Sequence, residues 1–215
     1  DRMWLRIFDS ACAYCAALTG QVGQVPALFR EHALHTVHFL APCRPMMEMI
    51  ENQVYLAEGA YARVIGRSEG LLAQCAQQHY ALVALQVRIQ TAAAYAALGK
   101  RPEARQLLGQ ALRAAAPDGL LLPFAENGRG LRPLLEGGAW EADLGDFPQR
   151  AADCIAAYEA RCAALCTPGG PAALAGLTGR EREIAALIAA RLTNGEIARR
   201  LFLSDGSVKQ YVHQI

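Results

Sequence analysis

Residues 81–116, "ALVALQVRIQTAAAYAALGKRPEARQLLGQALRAAA", constrain the fold more than any other stretch. Apolar residues recur at spacings of three and four, which predicts a helix over 81–98. Gly99 is placed to cap its carboxyl end, and Pro102 sits in the first turn of the helix that follows. The result is a helical hairpin with a tight turn. A lone hairpin cannot bury its own apolar face, so it must stack on neighbours and build a solenoid. About forty residues upstream a weaker copy occurs: a helical stretch from Pro45 to Glu58, then Gly59, then "AYARVIGRSEGLLAQCAQQ". Most other segments carry the same periodicity and few β-branched runs, so the expected fold class is all-α.

Composition narrows the function classes. The chain has 215 residues and is 53% hydrophobic, much of it alanine. No run approaches the roughly 18 uninterrupted apolar residues of a membrane span. The opening "DRMWLRIFDS" has no initiator Met and lacks the apolar core of a signal peptide, so the chain reads as a cytoplasmic piece of a longer protein. Seven cysteines, an odd number in a chain of this size, read as reduced thiols. Cys12 and Cys15 form a lone CxxC, and Cys162 and Cys166 lie one helical turn apart; neither pair has the further ligands a zinc site needs, so no metal is expected. Net charge is +1, but residues 177–215 hold six Lys and Arg against four Asp and Glu, which leaves that end mildly basic.

Three regions follow along the chain. Residues 1–166 are the expected helical repeat. Within it, Gly and Pro multiply from Pro117 to Pro148, which predicts loops and short helices before a last long helix opens at Pro148. Residues 167–176, "TPGGPAALAG", carry no charge and read as a flexible linker. Residues 177–215 predict three short helices. Thr178 with Glu181 forms a capping box for the first, whose apolar face is Ile184, Leu187, Ile188 and Leu192. Thr193 or Asn194 caps the second, with Ile197, Ala198 and Leu201 inward. Ser204 or Asp205 caps a third that starts near Ser207, with Val208, Val212 and Ile215 inward and Lys209, Gln210 and His213 outward. A short helix, a tight turn and a helix with cationic and amide side chains outward is what a major-groove reader requires, since Lys can donate to guanine and Gln can bond adenine twice.

Two resemblances add to this reading. "AAAYAALGKRPEARQLLGQALRAAAPDG" resembles a tetratricopeptide-type repeat. "LTGRE", "EIARRL" and "LSDGSVKQYV" resemble, in order and spacing, the helix-turn-helix of the LuxR/FixJ-type (GerE-like) transcription regulators. Together they resemble the carboxy-terminal part of a MalT-type regulator, the large ATP-binding subclass of that bacterial family. The resemblance implies a cytoplasmic regulator that binds double-stranded DNA and is controlled by a small-molecule or protein effector on the repeats. It also implies self-association of the parent protein, a fourth helix after Ile215, and an ATPase upstream of Asp1. No GxxxxGK[ST] occurs, so no cofactor is expected on this chain and ATP belongs to that upstream domain.

Carried over by position, Lys209, Gln210 and His213 are the expected base contacts, and Asn194, Ser204, Ser207 and Tyr211 the expected phosphate contacts. Ser207 stands where the family has Thr, and Tyr211 where His is common. Glu181 corresponds to a structural acid of the family. His32, His35 and His38, spaced by three, read as packed or solvated histidines, and the aromatics Trp4, Phe8, Tyr14, Tyr55, Tyr61, Tyr80 and Tyr95 as core. No nucleophile elbow or supported carboxylate pair occurs, so no enzyme is expected. The competing reading is a helical-repeat protein-interaction scaffold that does not bind DNA.

Overall fold

The structure, a computed structural model, describes residues 2–165, 177–190 and 192–214. Those residues form helices and no strand, in keeping with the all-α expectation. The chain divides into two compact units, residues 1–163 and 164–215. The expected linker, 167–176, lies outside the described residues.

The first unit holds α1 (Arg2–Leu18), a four-residue α2 (Ala27–Arg30), and then α3 (Arg44–Ala57), α4 (Tyr61–Gln77), α5 (Ala81–Ala97) and α6 (Arg101–Ala115). Two short helices, α7 (Leu122–Asn127) and α8 (Arg132–Glu136), precede the long α9 (Phe147–Leu165). The Gly- and Pro-rich stretch is thus broken into short pieces, and α9 opens one residue before Pro148.

Helices α3 to α6 are joined by turns of one kind. Each ends in a left-handed residue, Gly59 (φ 76°), His79 (φ 56°) or Gly99 (φ 75°), and Gly119 (φ 64°) repeats the geometry after α6. At each turn the next amide reaches back to the carbonyl five residues earlier: Ala60 to Tyr55 at 2.8 Å, Tyr80 to Cys75 at 2.9 Å, Lys100 to Tyr95 at 2.9 Å and Leu120 to Ala115 at 3.1 Å. This is the Schellman closure, which satisfies helix-end carbonyls. The left-handed residues recur every twenty positions, and each helix packs on its hairpin partner, while α1, α3, α5 and α7 also pack side by side.

Two large apolar clusters fill the unit, with a smaller third of Tyr55, Val64 and Ala94. One gathers Leu85, Ile89, Leu108, Leu112 and Phe124 with Phe147 and Ile155 of α9; the other gathers Phe29, Met47, Ile50, Val54, Leu71 and Val87. His32 stacks on Tyr55 with ring centroids 4.2 Å apart and bonds Glu58 at 3.0 Å, so it is packed, while His35 and His38 are exposed. Phe8, expected in the core, is exposed. The described cysteines, among them the buried Cys75, are free thiols.

A polar tie crosses the inner helices. The fully buried Gln90 amide of α5 donates to Met49 O at 3.1 Å and Gln53 Oε1 at 3.2 Å on α3, and to Asn127 Oδ1 at 2.8 Å on α7. Asn127 in turn donates to Pro123 O at 3.0 Å. Replacing Gln90 with the similarly sized Leu leaves the Gln53 and Asn127 side-chain oxygens buried without this donor, a loss of about 1–3 kcal/mol. Urea unfolding of Gln90→Leu should show its midpoint lowered accordingly, with the slope unchanged.

Candidate nucleic-acid interface

Residues 177–214 of the second unit hold, among the described residues, α10 (Gly179–Ala189), α11 (Asn194–Leu201) and α12 (Asp205–Gln214). Each opens on a side-chain cap. Thr178 Oγ1 accepts the Glu181 amide at 3.3 Å, while Glu181 Oε2 accepts the Thr178 amide at 2.6 Å and its hydroxyl at 2.7 Å. Thr193 and Glu196 repeat the arrangement for α11, at 3.3, 2.7 and 2.7 Å. Both are capping boxes, in which two otherwise unpaired amides are satisfied reciprocally. The first was legible from the Thr-x-x-Glu spacing; for the second the structure selects Thr193 over Asn194. At α12 the Ser204 hydroxyl accepts the Ser207 amide at 3.1 Å and pairs with its hydroxyl at 2.8 Å. Ser204 is therefore the cap, and the helix starts at Asp205, two residues ahead of the expected start. Asp205 in that first turn suits the positive end of the helix dipole.

Ile184, Ile197, Ala198, Leu201 and Val208 are buried together, with Leu187, Leu192, Leu203 and Tyr211 packed around them. Ile188 and Val212, expected inward, are 39% and 40% exposed. The turn between α11 and α12 is held from two sides. Phe202 adopts φ 56°, and the Leu203 amide reaches back to Ala198 O at 2.9 Å. From α10, Arg180 Nη2 donates to Leu201 O at 2.8 Å while Nη1 pairs with Glu183 at 2.7 Å. The guanidinium thus caps the end of α11 and ties the first helix to the turn.

On α12, Lys209, Gln210 and His213 are exposed, and at 3.6 residues per turn they span an arc of about 100°. Val208 lies on the opposite side, in the core. Of the other expected contacts, Asn194 is half-exposed in the first turn of α11. Ser204 and Ser207 open α12, and the two helix starts are neighbours: a methyl group at Gly195 would lie 3.8 Å from the Asp205 carboxylate. Tyr211 is half-buried against the core. Sequence reasoning passed over Arg199 and Arg200, which stand exposed in the last turn of α11. Their signal was available as the only cations of a helix that directly precedes the turn.

Residues 175–215 match the family model of bacterial regulatory proteins, luxR family. This part of the chain is a LuxR-type helix-turn-helix domain. The match gives its motif positions a physical meaning: the threonines and glutamates are reciprocal caps, and the arginine of "LTGRE" locks the turn. Comparison of the chain with curated proteins and with solved structures gives no match. Among the described residues no group of three or more His, Cys, Asp or Glu is placed to hold a metal ion.

Phe202 is 96% exposed, so its side chain gains little from packing while its backbone carries left-handed strain of roughly 1–2 kcal/mol. Phe202→Gly should stabilise the domain by about 0.5–1 kcal/mol after the extra chain entropy of glycine is offset, seen as slower amide exchange across α10 to α12. Separately, the threonine hydroxyl and amide of each capping box hold the Glu181 and Glu196 carboxyls below the ordinary carboxylate range. A lowered folded-state pKa means the unfolded chain binds protons first. The stabilisation is complete above the ordinary value of about 4.3 and disappears as pH falls through the lowered one. Amide exchange in the first turns of α10 and α11 should speed up on acidification through that window, and Glu181→Gln with Glu196→Gln should flatten the response.

Proposed function

We propose that the chain is a sequence-specific regulator of transcription in which α12 enters the major groove. The carrying observation is that a LuxR-type domain sets Lys209, Gln210 and His213 on one exposed face, opposite a buried Val208. Lys209 donates to guanine acceptors, Gln210 pairs with an adenine edge, and His213 contacts a neighbouring base. Asn194, Ser204, Ser207 and the Tyr211 hydroxyl contact phosphate, helped by the amides at the starts of α11 and α12. Arg199 and Arg200 add phosphate contacts from the end of α11.

The helical unit is the sensor. Its tetratricopeptide-like hairpins receive a small-molecule or protein effector, and the parent protein self-associates. Binding alters assembly, so that two weak half-site contacts become one bivalent one. The order of helical repeat and then LuxR-type domain supports a MalT-type regulator, whose ATPase stands before the repeats. A protein working on bacterial DNA is cytoplasmic, and no described helix is long and apolar enough to cross a membrane.

Fluorescence anisotropy on a pool of labelled genomic DNA tests the reading. Affinity should fall steeply as salt rises. Lys209→Ala should weaken the preferred site by about 1–3 kcal/mol and relax its specificity. Arg200→Ala should weaken all sequences alike and reduce the salt slope by about one. Association indifferent to salt and to both substitutions would replace the regulator by an interaction scaffold.

A further inference from the structure

The helical unit contains a cleft of about 210 Å3 between its inner helices and α9. That is below the roughly 300–1,000 Å3 of sites for drug-sized molecules, so its occupant is small. Leu18, Leu56, Ala93 and Ala97 give it an apolar lining, and the rings of Tyr61 and Tyr158 adjoin.

Its charge is negative. Glu126, half-buried, projects a carboxylate whose Oε2 accepts the Tyr14 hydroxyl at 2.9 Å and the Gln86 amide at 3.5 Å. Among the described residues no Lys, Arg or His forms an ion pair with it. Glu159 adds a second carboxylate to the wall, and Arg129, the cation on the rim, is exposed and paired with neither. The tyrosines register this field. Burial and then Glu126 raise the Tyr14 hydroxyl well above the ordinary phenol range; burial, Cys162 and Glu126 push Tyr158 up to about 12. A half-buried carboxylate beside aromatic rings, without a counter-ion, is suited to a positive ligand: the carboxylate supplies a charge-assisted hydrogen bond and the rings a cation–π surface.

We propose that this cleft binds a small organic ammonium ion, with the ammonium on Glu126 between Tyr61 and Tyr158 and the apolar body against the Leu and Ala lining. An anion is repelled by Glu126 and Glu159, and a neutral molecule leaves the Glu126 charge uncompensated. Tyr158, Glu159 and Cys162 of the wall belong to α9, the last described helix ahead of the DNA-binding domain in the sequence. The site stands on its own geometry; its regulatory consequence rests on the sensor reading given above.

Calorimetric titration of the whole chain near neutral pH with phenethylamine, phenethyl alcohol and phenylacetate tests the site. The amine should bind at least about tenfold more tightly than the other two. Glu126→Gln should remove that preference, and Tyr61→Leu, which leaves the Tyr14 hydrogen bond in place, should weaken the amine severalfold. Equal binding of amine and alcohol, no amine binding, or an amine preference that survives Glu126→Gln in a folded chain overturns the proposal. DNA anisotropy with and without the amine separates the two readings. If the amine binds as described and DNA affinity is unchanged, the site stands and the effector role falls. If the amine binds and DNA is not bound at all, the site again stands and the regulator reading falls.

Discussion

The amide of Gln90 is the contact on which the helical unit's inner face depends. A stack of hairpins held only by leucine and alanine contacts can slide, because apolar packing is non-directional. One buried amide that must meet acceptors on both α3 and α7 permits a single register. The consequence reaches α7, a helix too short to be stable alone. Asn127 is fixed by Gln90, so the next residue back, Glu126, is presented to the cleft from a defined position and meets Tyr14 of α1. The polar tie thus sets the fold's register and, one residue away, the charge of its cleft.

The DNA-binding domain solves the same problem at smaller scale. Its apolar core is a handful of side chains, too few to orient three short helices by packing alone. Directional contacts fill the gap: two capping boxes fix where α10 and α11 begin, Ser204 fixes α12, and Arg180 fixes where α11 ends. With α12 started this way, Lys209, Gln210 and His213 are presented together on its exposed face.

Local signals were legible in the sequence. The Thr178 and Glu181 box, the Gly59 and Gly99 turns, the broken stretch before Pro148 and the helix-turn-helix spacing all depend on residues a few positions apart, where residue type and backbone geometry are directly coupled. What stayed hidden has no such coupling. His79 takes the same left-handed turn as the glycines without the glycine that would announce it. Gln90 and Asn127 are polar yet buried, and the bond Gln90 donates to Asn127 Oδ1 joins residues 37 positions apart. Ile188 and Val212 fit the apolar period yet remain partly exposed, since period gives direction but not what lies there. In the candidate interface, side-chain direction on α12 was readable from its period, whereas the Arg180 lock joins residues 21 positions apart.

The bond from Tyr14 to Glu126 spans 112 residues, whereas the turns at 59, 79, 99 and 119 close over five. Loop-closure entropy makes contacts of short separation quick and distant ones slow. During synthesis the hairpins can therefore assemble as they emerge, and the bond from α1 to Glu126 forms only once α7 is made. The wall supplied by Tyr158 is the last part of the unit to be made, and the translated segment that follows it is the DNA-binding domain. Completion of the cleft and appearance of the domain are thus consecutive events in the life of the nascent chain.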